Sequence, residues 1–193
     1  PEIAFNPSMQ NEVVKSYMEL NKPDSARIYL AARLLSERGD KIVLNCMMAE
    51  TYITEELEDS AFVFLDRPMK SYKERAKNYQ KKGKEPILPN CFLSPCYSFA
   101  DLLWKKGKIQ QASQYYMIVE PLMKERVKTP VRMELQIKAL TNFSSFCRET
   151  KQYEKALDLL ARRDSVLQTY LEFKAKNDKK NYAERLKIQE LKH

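Results

Sequence analysis

The chain has 193 residues, of which 44% are hydrophobic and 31% charged, and its net charge is +8. Such a balance is typical of a folded protein with a buried core, and the length suits one domain or one array of repeats. The single histidine is the last residue, His193, and the three glycines are isolated. These counts exclude an internal imidazole base, a histidine-ligated metal and a glycine-rich phosphate loop. We therefore expect no enzymatic activity and no cofactor in this chain.

Apolar residues recur three and four positions apart along nearly the whole chain, and strand-like alternation is nearly absent. This spacing predicts one helix after another. Residues that end or start helices cluster at 21–24, 38–40, 86–95, 106–108, 128–130 and 150–152. They separate helices of about 12 to 20 residues, and short connections of this kind make consecutive helices antiparallel neighbours. The predicted fold class is all-α.

The helix pairs share an alanine early in the second helix, with a large residue nine positions before it and another four after it. The alanines are Ala26, Ala61, Ala112 and Ala156; the earlier anchors are Tyr17, Tyr52, Leu103 and Cys147; the later ones are Leu30, Leu65, Tyr116 and Leu160. Five positions before each alanine, the predicted turn carries Asn21, Glu56, Gly107 and Lys151. A small residue lets two helices approach closely where they cross, while the large residues fill the space on either side.

This pattern resembles the tetratricopeptide repeat, most clearly at 99–112 (FADLLWKKGKIQQA) and 151–157 (KQYEKAL). The resemblance implies an α–α superhelix of about four helix pairs, near 9–37, 41–82, 95–127 and 130–165. Beyond the repeats, residues 166–193 are highly charged, and the spacing of their apolar residues predicts a C-terminal helix that serves as a cap, a linker or a dimerising coiled coil. The alanines lie 35, 51 and 44 residues apart, against a family unit of about 34. Pro68 and Pro121 are expected to kink or interrupt the long second helices.

The resemblance also implies a concave groove that binds a protein or peptide. Carried over position by position, its lining residues are Asn11, Lys15, Glu50, Tyr97, Asp101, Trp104, Thr141, Ser145 and Arg148. Trp104 and Tyr97 are the candidate aromatic anchors, with packing between helices as the alternative for both. The lysine and asparagine clamp by which some family members hold a terminal carboxylate is absent, because Met47, Ser94 and Ser98 occupy its later positions.

Most of the net positive charge of the chain lies between positions 67 and 85, where basic residues exceed acidic ones by six. The basic residues there are Arg67, Lys70, Lys73, Arg75, Lys77, Lys81, Lys82 and Lys84, against Glu74 and Glu85. We interpret this segment as a solvated helix face and loop, with a surface that binds nucleic acid or anionic lipid as the alternative, and we expect no nucleic-acid partner. The four cysteines have poor zinc spacing and are predicted to be small buried residues without a metal.

A second resemblance covers 153–167 and 182–192, which are similar to the junction between repeats and charged helix in Bacteroidetes-type membrane-anchored regulators. In that family the repeats form the extracytoplasmic sensor, and a histidine kinase or DNA-binding domain follows. The resemblance implies a periplasmic sensor region of an inner-membrane protein, with membrane attachment only outside this chain. We expect the chain to be a piece of a longer protein. The alternatives are a cytoplasmic scaffold or adaptor, and a nucleic-acid-binding helical array.

Overall fold

The computed structural model describes residues 7–36, 40–81 and 88–190, and all their side chains except those at 7–11, 75, 76, 79, 80, 182, 183 and 185–190. Within these ranges the chain forms α-helices and one short 3₁₀ helix, with no strand, which confirms the all-α prediction. The helices are α1 (Pro7–Glu19), α2 (Pro23–Leu35), α3 (Lys41–Thr54), α4 (Glu58–Lys81), η1 (Asn90–Phe92, the 3₁₀ helix), α5 (Leu93–Lys105), α6 (Ile109–Lys124), α7 (Pro130–Glu149) and α8 (Tyr153–Glu190). The chain divides into two compact units, Pro1–Leu122 and Met123–His193.

The turn between the two helices of each pair has the same geometry in all four pairs. Asn21, Glu56, Gly107 and Lys151 each have a positive φ, between 53° and 75°, and no other described residue does. After each of them the next N–H bonds back to the anchor carbonyl predicted nine residues before the alanine, as in Lys22 to Tyr17 (2.8 Å) and Lys108 to Leu103 (2.9 Å). This is the Schellman arrangement, which satisfies the last carbonyls of a helix. The structure therefore confirms the four turns at the positions that the alanine spacing predicts.

The four alanines that define the repeat lie in the interior. Ala26, Ala61 and Ala112 are completely buried and Ala156 nearly so. In the first unit Val14, Ala26, Leu30, Leu44 and Met48 form one cluster. Helix α3 packs against α2, α4, α5 and η1, so it is the central helix of that unit. In the second unit α7 packs along α8, with Leu140, Phe143, Phe146 and Leu159 buried between them.

Both prolines predicted to disturb the second helices lie inside helices that continue through them. Pro68 lies within α4 and Pro121 within α6, so neither interrupts its helix. Each costs one backbone hydrogen bond, because proline has no N–H to donate to the carbonyl four residues earlier. Burial of neighbouring side chains such as Leu65 and Val119 offsets that loss. Pro95, placed at the end of a predicted loop, instead lies in the first turn of α5, where a missing N–H costs nothing.

The charged C-terminal segment continues the last helix of the repeats. Helix α8 spans 38 residues from Tyr153 to Glu190 without a break at position 165. Its first half lies on α7, and the Tyr170 hydroxyl donates a hydrogen bond to Glu134 near the start of α7. Residues 171–181 are exposed, including Leu171 and Phe173. We call residues 171–190 the arm of α8. Its described side chains therefore cover no apolar surface of the second unit.

Two substitutions in the shared turn are expected to change the free energy of unfolding in opposite directions. Gly107→Ala should lower the free energy of unfolding by about 1 kcal/mol, because alanine is strained at a φ of +75°. The added Cβ would have no atom within 4 Å, so the cost is conformational and not steric. Lys151→Gly should raise the free energy of unfolding by about 0.5–1 kcal/mol, since a residue with a side chain already holds φ at 62° there. Urea unfolding followed by circular dichroism measures both; shifts of the same sign would contradict a shared turn.

Candidate functional site

The groove positions predicted in the first pair do not come together in a described cluster. The side chain of Asn11 lies outside the described set. Lys15 is exposed and its Nζ lies 3.8 Å from Glu19 on the same helix. Such an exposed pair contributes little to stability or binding.

The positions predicted on α3 and α5 do lie close together. Glu50 and Asp101 both act electrostatically on Tyr97, and the Glu50 carboxylate accepts a hydrogen bond from the Ser94 hydroxyl. Burial raises the pKa of the Glu50 carboxyl, and the bond from Ser94 lowers it. Asp101 in turn accepts a hydrogen bond from the Tyr116 hydroxyl. The result is a largely satisfied acidic cluster between packed helices.

The two aromatic residues predicted as anchors differ in their surroundings. Tyr97 is only 4% exposed, so its ring packs between helices, and burial raises the pKa of its hydroxyl. Trp104 is half-buried in the last turn of α5. Of the two residues, Trp104 is the more exposed.

The positions predicted on α7 line a cleft of about 300 Å³ in the second unit. Thr141, Ser145 and Arg148 form one wall, at spacings of four and three residues on a single face of α7. The other lining residues are Ser144 on α7 and Ala156, Leu160 and Arg163 on α8. This is where the structure brings three of the predicted groove residues into one cavity.

Positive charge dominates the rim of this cleft. Arg148 is exposed and has no ion pair or side-chain hydrogen bond among the described residues. Arg163 is 30% exposed and binds Asp164 through Nε (2.9 Å) and Nη2 (2.5 Å). No acidic side chain lines the cavity itself. Guanidinium groups bind carboxylates and phosphates through paired hydrogen bonds, so this cleft suits an anionic group.

The hydroxyls of the cleft have a defined orientation. Thr141 Oγ1 donates to the Ile137 carbonyl (2.8 Å), and Ser144 Oγ donates to the Thr141 carbonyl (2.7 Å). Because their protons are used by the helix backbone, these two groups offer lone pairs to the cavity. These two hydroxyls therefore donate no proton to a ligand. Because Arg163 is already bound to Asp164, Arg148 is the main cationic donor available to a ligand.

Arg163 is the charged residue of the cleft that the sequence analysis missed. A signal for it exists in the chain, because it follows Ala156 by seven residues and Leu160 by three, which places all three on one helix face. Arg163 faces Arg148 across the cleft because α8 packs against α7.

The basic segment forms an exposed stripe on the second half of α4. Lys70, Lys73, Lys77 and Lys81 are exposed and share one helix face. Asp66 lies 2.7 Å from Lys70, and the Arg67 guanidinium lies 5.7 Å from the centre of the Phe64 ring. Arg75 is described by its backbone alone, and Lys82 and Lys84 lie outside the described residues.

A second cleft, of about 450 Å³, lies between α4, α5 and α6 and was not predicted. Its lining carries the carboxylates of Glu58, Asp59 and Asp66 and the amino groups of Lys73 and Lys108. Glu58 binds Lys108 and lies 3.4 Å from Lys106 Nζ. The bond from Lys108 is the main reason that the pKa of the Glu58 carboxyl is lowered. Because acidic side chains outnumber basic ones in its lining, the second cleft is less suited than the α7–α8 cleft to an anionic ligand.

Within residues 7–36, 40–81 and 88–190, no three His, Cys, Asp or Glu side chains are grouped so as to hold a metal ion. In the same part of the chain no helix is both long enough and apolar enough to cross a membrane. Comparisons of the chain with protein-family models, with curated proteins and with solved structures find no match.

Proposed function

We propose that this protein is a non-catalytic protein- or peptide-binding module of the tetratricopeptide type. The observation that supports this most directly is the fourfold recurrence of one helical hairpin, with the same positive-φ turn and the same buried alanine. Stacked hairpins of this kind form binding surfaces in repeat proteins. We further propose that the hairpins stack as a superhelix.

The α7–α8 cleft is the proposed binding site, and its ligand is an acidic side chain or terminal carboxylate of a protein or peptide. Arg148 supplies the charge, Arg163 faces it from α8, and Ala156 and Leu160 supply an apolar floor. A charge-assisted hydrogen bond in a partly desolvated cleft contributes about 1.5–3 kcal/mol.

The proposed role is that of an extracytoplasmic sensor in a bacterial signal-transduction regulator. Helix α8 both lines the cleft and extends to Glu190, and it contains no glycine or proline. At 1.5 Å per residue, its 38 residues span about 57 Å, so a tilt at the cleft moves its far end. Ligand binding would in this way reach a following kinase or DNA-binding domain.

Arg148→Gln is expected to weaken binding of acidic peptides about 10- to 100-fold, because it removes the cleft guanidinium that has no ion pair among the described residues. Peptides are first selected from a displayed random library on the wild-type chain, and their affinities are then measured by fluorescence anisotropy. Lys176→Gln is the matched control, since it removes one positive charge from the exposed arm of α8. Thermal melts of both variants show whether folding is intact.

Selection of peptides without acidic residues, or no selection at all, would contradict the proposed site. Equal affinities for the wild type and Arg148→Gln would also contradict it.

The sensor role is tested separately, by the sequence that the gene encodes on either side of this chain. A secretion signal encoded before Pro1 and an apolar span of about 20 residues encoded after His193 would support it. Unbroken soluble sequence on both sides would favour a cytoplasmic scaffold or adaptor.

A further inference from the structure

The cleft between α4, α5 and α6 takes no part in the proposed function, and its lining differs from that of the α7–α8 cleft. We call it the α4–α6 cleft. All of its lining residues belong to the first unit. Its volume of about 450 Å³ lies in the range of pockets that hold small molecules. The cleft is therefore large enough for a small organic ligand.

The floor of the α4–α6 cleft is apolar and closely packed. Met69, Phe99 and Leu103 line it and are at most 7% exposed. The rings of Phe99 and Tyr115 are perpendicular to each other, with their centres 4.9 Å apart. Phe62 also lines the cleft and is 48% exposed. An apolar group bound here would remove part of the Phe62 ring from water, which favours binding.

Two of the charged lining residues neutralise each other. Lys108 Nζ binds Oε1 of Glu58, and Oε2 of the same carboxylate lies 3.4 Å from Lys106 Nζ. Because each oxygen of Glu58 already faces a lysine, Glu58 and Lys108 offer no free charge to a ligand.

The other two carboxylates of the lining lie on one face of α4. Asp59 and Asp66 flank Phe62 at spacings of three and four residues. Asp59 is exposed and has no ion pair or side-chain hydrogen bond among the described residues. Asp66 binds Lys70 through Oδ2 at 2.7 Å, and its Oδ1 has no hydrogen-bond donor in the described part of the chain. These two carboxylates are the anionic groups available to a ligand.

The rest of the described lining does not cancel this negative charge. Gln111 and Gln114 of α6 are neutral, and their amide oxygens accept hydrogen bonds. Lys73 lies seven residues after Asp66 on α4, about 10 Å along the helix axis, and about 21 Å from Asp59. At physiological ionic strength, charges more than about 8 Å apart in solvent are largely screened from each other. The end of the cleft near Asp59 and Asp66 is therefore anionic.

We propose that the α4–α6 cleft binds a small organic cation in which an ammonium group is joined to an apolar or aromatic group. The apolar group packs on Phe62 and Tyr115. The ammonium group lies at the end of the cleft near Asp59 and Asp66, where it donates a hydrogen bond to one carboxylate and is attracted by the other. This site is independent of the proposed function, because the α7–α8 cleft lies in the other unit and takes an anionic group.

The test compares three probes that carry the same phenyl ring and ethylene chain but differ in charge. They are phenethylammonium, phenethyl alcohol and hydrocinnamate, and their binding to the full chain is followed by NMR titration of the backbone amide signals. The cation should bind at least about tenfold more tightly than the alcohol or the anion. The signals that shift should be those of residues lining the cleft.

Two variants test the two parts of the site. Asp59→Asn/Asp66→Asn should weaken binding of the cation about tenfold and change that of the alcohol less than about twofold, so that the preference for the cation disappears. The alcohol thereby reports whether the cleft is still folded. Phe62→Ala should weaken binding of both probes about two- to fivefold. The matched controls are Asp178→Asn and Phe173→Ala on the arm of α8, which should change neither affinity.

Several results would overturn the proposal. They are equal affinities of the wild type for the cation and the alcohol, tighter binding of the anion, no binding of the cation, and shifts confined to residues outside the cleft. An unchanged preference for the cation in Asp59→Asn/Asp66→Asn would also overturn it. So would binding of acetyl-lysine methylamide as tight as that of phenethylammonium, because the cleft would then suit a lysine side chain of a partner protein.

Discussion

Replacing Phe143 by alanine should lower the free energy of unfolding by about 3–5 kcal/mol, one of the largest effects expected of a single change in this chain. Phe143 is 1% exposed on α7, and its ring centre lies 6.4 Å from that of Phe146. Lys155, in the first turn of α8, places Nζ 4.8 Å from the centre of the same ring. The truncation therefore leaves a cavity between the two helices and also removes a cation–π contact.

Urea unfolding followed by the helical circular dichroism signal measures this loss. Phe173→Ala is the matched control, because Phe173 is 36% exposed on the arm of α8. Its free energy of unfolding should stay within about 0.5 kcal/mol of the wild type. A cost below about 1 kcal/mol for Phe143→Ala would show that α7 and α8 do not pack around this ring.

The positions of the turns could be predicted from the sequence because each turn is a local structure. Gly107 and the spacing to Ala112 specify where one helix ends and the next begins, and the same spacing applies at Asn21, Glu56 and Lys151. The non-glycine turn residues show that spacing is the stronger signal. Their backbone strain, on the order of 1 kcal/mol each, is offset by burial of the adjoining helices.

The extent of α8 was harder to predict, because composition changes near position 165 while the helix does not end. No glycine or proline lies between Tyr153 and Glu190, so nothing in the local chemistry stops the helix there. A change from half-buried to fully exposed surroundings explains the change in composition. The boundary drawn at 165 marks where apolar contacts become sparse, close to Tyr170, which is the last half-buried residue among the described side chains of α8.

The residues of the candidate site likewise divide into those that could be predicted from the sequence and those that could not. Thr141, Ser145 and Arg148 follow from the face of one helix, so the repeat alignment found them. The place of Arg163 in the same cleft depends on how α8 packs against α7. Contacts of that kind have no periodic signature in a sequence.

Replacing Gln136 by glutamate should destabilise the protein by about 3 kcal/mol or more at neutral pH. Gln136 is 1% exposed on α7, and its Nε2 donates to the carbonyls of Met123 (2.6 Å) and Glu125 (2.9 Å) at the end of α6. An ionised carboxylate there has no proton to donate and lies against two carbonyl oxygens. Gln136→Met, which removes the same bonds without adding charge, should cost about 1–3 kcal/mol.

The pH dependence of the free energy of unfolding separates the cost of the buried charge from the cost of the lost hydrogen bonds. Burial beside carbonyl oxygens raises the pKa of the introduced carboxyl in the folded chain above its unfolded value of about 4.3. The charge-dependent part of the cost is therefore absent below about pH 4, grows as pH rises to the folded pKa, and is constant above it. Gln136→Met should differ from the wild type by the same amount at every pH.

Urea unfolding of the variants and the wild type from about pH 4 to pH 8 measures this difference. Gln110→Glu makes the same substitution at an exposed position in the first turn of α6, where a negative charge is favourable. It should therefore change the free energy of unfolding by no more than about 0.5 kcal/mol. A Gln136→Glu variant that loses no stability between pH 4 and pH 7 would show that the side chain does not bind the end of α6, because a solvated carboxyl has the same pKa in the folded and unfolded chain.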